Sequence, residues 1–87
     1  MLVVYKQNIA DMLLMEAFSE MHQVRDRLNF FYEKYQQDFE VFSKQTEKED
    51  ENFEHFDDYM EWKAYIKLFH NILQKIEDLR YGNFQIA

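Results

Sequence analysis

Leu14, Ala17, Met21, Val24, Leu28, Phe31, Tyr35 and Phe42 follow one another at helical spacing, with only Asp38 out of place in the seam. Steps of three and four residues return to one side of an α-helix, so this half of the chain reads as a helix with a continuous apolar seam. Leu13, Met15, Phe18, Phe30, Tyr32 and Phe39 widen it beyond the two positions per heptad of a strict coiled coil. Such breadth predicts a bundle in which three or more helices meet. Gln36, Gln37 and Asp38 form a polar break in the seam. The helix either runs through it or kinks there, with Asp38 capping a short second segment.

From Ser43 to Asn52 no side chain is apolar, and the chain is expected to reverse there. Thr46 followed by Glu49 has the form of a capping box, which starts a second helix near Glu47. Asp50 or Asn52 as the cap would start it a turn later. Beyond lie Phe53, Phe56, Tyr59, Trp62, Tyr65 and Phe69, then Ile72, Leu73, Ile76 and Leu79. Repeated steps of three rotate the rings around the helix, so one neighbouring helix cannot cover them all. Arg80 and Gly82 supply a last-turn cation and a left-handed cap, which stops the helix at about Tyr81.

The expected fold is all-α, a long antiparallel helical hairpin completing a helical bundle by oligomerisation, with a dimer favoured. Helix one covers about 6–44, the turn about 44–50, helix two about 47–81 and a short extended tail 82–87. The core is expected at Leu14, Met21, Val24, Leu28, Phe31, Tyr35, Phe42, Trp62, Tyr65, Phe69, Ile72, Ile76 and Leu79. In the tail, Phe84 and Ile86 alternate with polar residues and would point the same way, onto the hairpin or onto a partner. Leu2, Val3 and Val4 form either a short extended arm or the frayed first turn of helix one. Lys6 interrupts the apolar start before a signal-peptide core develops, so this segment is expected to stay on the protein.

At 87 residues the chain is one domain, near the size at which a single core becomes marginal. Apolar residues make up 47% and charged residues 31%, too apolar for a disordered chain and too interrupted for a membrane span. No proline and one glycine leave little to punctuate long helices, and no cysteine is present to build disulfides or thiolate metal sites. A reducing, cytoplasmic setting is the default expectation.

The net charge of −7 is unevenly placed. From Glu47 to Glu61 eight acids face only Lys48, and the rest of the chain carries nine acids and nine bases. Glu47, Glu51, Glu54, Asp58 and Glu61 step by four and three, so one helix through them would carry an acidic stripe about 21 Å long. Phosphate binding needs the opposite sign, which argues against nucleic acid and for a basic protein partner. A charge run is commonly a solvated face, and first-turn acids are favoured by the helix dipole. This run, however, continues well past a first turn, at a cost of a few tenths of a kcal/mol for each like-charge pair.

Catalysis finds little to work with. Ser19, Ser43 and Thr46 are the hydroxyl nucleophiles available, and no glycine-rich loop cradles phosphate. The residues three before His22, His55 and His70 are Ser19, Asn52 and Lys67, so no di-iron Glu-x-x-His pair exists. Glu51, His55 and Asp58 can share a face, but read first as a solvated cluster. No enzyme activity, metal or other cofactor is expected.

Lys34, Tyr35, Phe39, Glu40 and Phe42, followed by Glu51 to Glu54 and by the run Asp57 to Tyr65, resemble small prokaryotic helical proteins of antitoxin-like type. Such proteins often carry a glycine after the Lys-Tyr pair, where Gln36 stands here. The resemblance covers roughly 34–84 and implies a short protein that binds and neutralises a toxin. On that reading Glu47, Glu51, Glu54, Asp58, Glu61, Phe84 and Ile86 meet a basic partner. The alternative is a self-assembling structural bundle with no cognate partner.

Overall fold

The computed structural model describes residues 2–49 and 52–82, with side chains from residue 8 onward. Three helices account for nearly all of it: α1 Leu2–Tyr35, α2 Phe39–Lys48 and α3 Phe53–Arg80. The chain is all-α, and α1 lies against α3 as an antiparallel hairpin, since Lys34 pairs with Glu54 while Arg27 pairs with Glu61. The apolar N-terminal residues from Leu2 continue α1 and do not form an extended arm. The tail with Phe84 and Ile86 lies outside the described residues.

The expected first helix to about Lys44 is instead two helices. Gln36 sits in the left-handed region at φ 51°, its amide still donating to Tyr32 O at 2.7 Å, and this turns the chain out of α1. A left-handed residue with a side chain is strained, and glycine is the residue that takes the conformation freely. The polar break at 36–38 is therefore a true helix boundary. Asp38 occupies the cap position before α2, yet its side chain makes no capping hydrogen bond. It places only its charge beside the positive end of the helix.

The second boundary also differs from the Thr46–Glu49 capping box. Thr46 Oγ1 donates to Phe42 O at 2.9 Å, which keeps the residue inside α2. Asn52 is the cap of α3, its Oδ1 accepting from the His55 amide at 3.1 Å. Helix two thus begins at Phe53 and not near Glu47. Packing of Phe42 against Trp62 holds Thr46 in α2 and leaves Asn52 to start α3. At the other end α3 stops after Arg80, and Gly82 takes the left-handed conformation at φ 72°.

The core runs the length of the hairpin in two groups. Ala17, Val24, Ile72, Ile76 and Leu79 are buried, flanked by Leu13, Leu14, Met21, Leu28, Tyr65 and Phe69. Near the closed end Phe31, Phe42 and Trp62 are buried together, one from each helix, with Tyr35, Phe39, Tyr59 and Ile66 around them. Ala10 is also buried, a position without enough side chain to stand out in the sequence pattern. Trp62, 4% exposed, packs parallel to Phe31 with centroids 5.6 Å apart, and meets Phe42 at 5.4 Å and Phe39 edge-on at 5.4 Å.

Two stability predictions follow from these contacts. Trp62→Ala opens a large cavity where three helices meet and is expected to cost about 3–5 kcal/mol in urea unfolding. Gln36→Gly removes left-handed strain and is expected to stabilise by about 0.5–1 kcal/mol in the same assay. A loss from Trp62→Ala of less than about 1 kcal/mol would contradict the junction.

Candidate functional site

The chemistry concentrates at the closed end of the hairpin, where α2 turns into α3. Lys34 and Tyr35, in the last turn of α1, reach across to the first turns of α3. Lys34 Nζ donates to Asp58 Oδ2 at 2.6 Å and to Glu54 Oε1 at 3.1 Å. The Tyr35 hydroxyl donates to the same Asp58 oxygen. One helical repeat along, Arg27 Nη2 donates to Glu61 Oε1 at 2.8 Å, and its guanidinium lies 4.8 Å from the centre of the Phe30 ring.

The Asp58 carboxylate is half enclosed, and burial works to raise its pKa. Hydrogen bonds from Lys34 and Tyr35 outweigh that and hold it below the usual carboxylate range. Tyr35 is pushed up to about 12, by burial first and then by its hydrogen bond to Asp58. The hydrogen bonds that Lys34 donates to Asp58 and Glu54 raise it above its ordinary value, and the one Arg27 donates to Glu61 does the same for Arg27.

In the first turn of α3, His55 is held by several neighbours. Its Nδ1 lies 2.6 Å from Glu49 Oε2 and 3.0 Å from Asn52 Nδ2. The ring also packs edge-on against Tyr35 at 5.5 Å and Phe42 at 5.9 Å. His55 therefore ties the α2–α3 corner to α1. Among the described residues no group of three histidines or acids is placed to hold a metal ion.

These contacts redistribute the acidic stripe. Glu47 belongs to α2 while Glu54, Asp58 and Glu61 belong to α3, so the single stripe on one helix does not form. Glu51, Phe84 and Ile86 lie outside the described residues. Glu54, Asp58 and Glu61 turn toward α1, where Lys34 pairs with the first two and Arg27 with the third. Glu47 and Asp57 are exposed and make no ion pair among the described residues.

The closed end also exposes apolar side chains. Phe53, Phe56 and Met60, at steps of three and four on α3, are 77%, 53% and 52% exposed. Beside them a groove runs between α2 and α3. One open concavity of about 280 Å³ is lined by Thr46, Glu49, Asn52, Phe53 and Phe56. A second of about 120 Å³ is lined by Ser43, Thr46, Glu47, Phe56 and Tyr59. They share Thr46 and Phe56, which makes them one groove with an acidic rim.

Sequence reasoning singled out the aromatic run and the acid run separately, but not the pairing of the acids with α1. A signal for it was present. Arg27 and Lys34 stand seven residues apart, as do Glu54 and Glu61, the spacing of matched edge positions on two antiparallel helices. No family model, curated protein or solved structure matches the chain.

Two outcomes test this cluster. Asp58→Ala leaves Lys34 and Tyr35 without their acceptor and is expected to cost about 1.5–3 kcal/mol in urea unfolding, whereas Glu54→Ala should stay within about 0.5 kcal/mol. The raised Tyr35 pKa stabilises the fold fully below the unfolded tyrosine value near 10, and that contribution is lost as pH rises toward about 12. Stability measured across this alkaline window should fall, and Tyr35→Phe should flatten the fall.

Proposed function

We propose that the chain is a non-catalytic protein-interaction module whose acidic end binds a basic partner protein, as the resemblance to antitoxin-like proteins implies. The observation that carries this reading is the groove of Phe53 and Phe56 between α2 and α3, whose lining includes Glu49 and the exposed Glu47, the latter without an ion pair among the described residues. Exposed aromatic side chains at helical spacing bury favourably against a partner, at about 1.5–3 kcal/mol for each side chain fully covered. The rim supplies orientation and a fast encounter with a positive surface. Glu47 and Asp57 are the acids best placed to meet that partner, with Glu49 beside the groove. Glu54, Asp58 and Glu61 hold the hairpin closed and contribute through the general field of this end of the molecule.

A partner with a basic cleft and an apolar anchor fits this surface, and an RNA-cleaving toxin is one such protein. Nucleic acid itself does not fit, since its phosphates carry the same sign. No helix among the described residues is long and apolar enough to cross a membrane.

Affinity capture from the native host, followed by titration of the purified partner, tests the proposal. The captured protein should be basic. Phe53→Ser with Phe56→Ser should weaken its binding by at least tenfold, or about 1.4 kcal/mol. Glu47→Gln with Asp57→Asn should slow association and flatten its salt dependence, with helix content unchanged. A captured partner whose affinity ignores all four substitutions would overturn the assignment.

A further inference from the structure

On each helix of the hairpin the core seam is bordered by two edges. One edge of α1 carries Arg27 and Lys34, and it meets the α3 edge of Glu54 and Glu61. The opposite edges must then face each other on the other side of the hairpin. Seven-residue spacing identifies them as Phe18, Arg25 and Tyr32 on α1 and Tyr59, Ile66 and Leu73 on α3. Phe39 of α2 stacks on Tyr59 at 5.6 Å, so α2 is the third helix on this side. It is ten residues long, about 15 Å, on a molecule 61 Å long. Beyond its reach Phe18, Tyr32 and Leu73 are exposed, with Met15 a turn away.

We infer that this uncovered face is occupied by a second copy of the chain, forming an antiparallel dimer in which each hairpin supplies the helices the other lacks. Two observations select this occupant. The first is area. The chain exposes 6978 Å², whereas a compact monomer of its length exposes about 5,600 Å². The excess is larger than the roughly 800 Å² each partner contributes to a standard stable interface. The second is charge. Over 8–37 and 62–82, the part that bears the face, seven acids and seven bases are present, two of the bases, Arg27 and Lys34, pairing across the opposite edge, while the −7 of the sequence resides in Glu47 to Glu61. Two copies therefore meet here without mutual repulsion, and the antiparallel arrangement keeps their acidic ends apart. A highly basic partner meets no acid among these six edge residues, whose one charge is Arg25, which separates this face from the groove of the proposed function.

Sedimentation of the full chain tests the inference, with helix content followed by circular dichroism. The wild type should be a dimer at about 50 µM, with a melting temperature that rises with concentration. Phe18→Glu with Leu73→Glu should give a helical monomer. Phe18→Gln with Leu73→Gln, which introduces no charge, should weaken the dimer by roughly tenfold or more, and it decides the matter if the charged pair loses its helix. Phe53→Ser with Phe56→Ser should leave the dimer intact. A wild-type monomer at that concentration, or a dimer that ignores both edge pairs, would overturn the inference.

Discussion

Everything at the closed end depends on Trp62 being enclosed by rings from two other helices. Phe31 reaches it from α1, Phe39 and Phe42 from α2, and Tyr35 stacks at 6.3 Å. A ten-residue helix is too short to be stable alone in water, so α2 exists because its Phe39 and Phe42 have this site to fill. Once α2 is docked, the position of the corner is set, His55 meets Glu49, and Phe53 and Phe56 are left on the outer wall of the groove. Aromatic packing at one residue thus places the surface that the proposed function uses.

Charge divides the acidic run into two parts with different tasks. Asp58 is drawn against α1 by Lys34 and Tyr35, in a half-enclosed place where a charge-assisted hydrogen bond is stronger than on open surface. Glu54 and Glu61 pair in more solvent, where an ion pair adds little to stability and serves mainly to fix register. Glu47 and Asp57 remain outward. The molecule therefore has a strongly acidic end and an electrically balanced shaft, and the two surfaces select different partners.

The helical class and the hairpin were legible in the sequence, because apolar spacing reports directly on which side of a helix faces its neighbour; of the thirteen positions on that spacing seven are buried and six half-buried. The break after Tyr35 was visible as Gln36, Gln37 and Asp38, but not decided. A polar break signals a gap in the seam, and only backbone geometry shows that Gln36 turns left-handed. The start of α3 was obscured because Thr46 and Asn52 both have cap chemistry, and tertiary packing of Phe42 against Trp62 gave Thr46 to α2. The acidic stripe was misleading for a related reason. Its four- and three-residue steps assume an unbroken helix, and they do not reveal that Arg27 and Lys34 wait on the opposite helix. Which aromatic rings remain outside was the least legible feature, since Phe53, Phe56 and Trp62 share the same spacing and differ only in what α2 covers.

The central claim is that three helices converge on Trp62, and nuclear Overhauser contacts of its indole ring test it most directly. Because the chain has one tryptophan, the indole signals are unambiguous. The account predicts contacts from that ring to Phe31 on α1 and to both Phe39 and Phe42 on α2, with none to Phe53. Contacts to α1 alone, with Phe39 and Phe42 giving none, would contradict it.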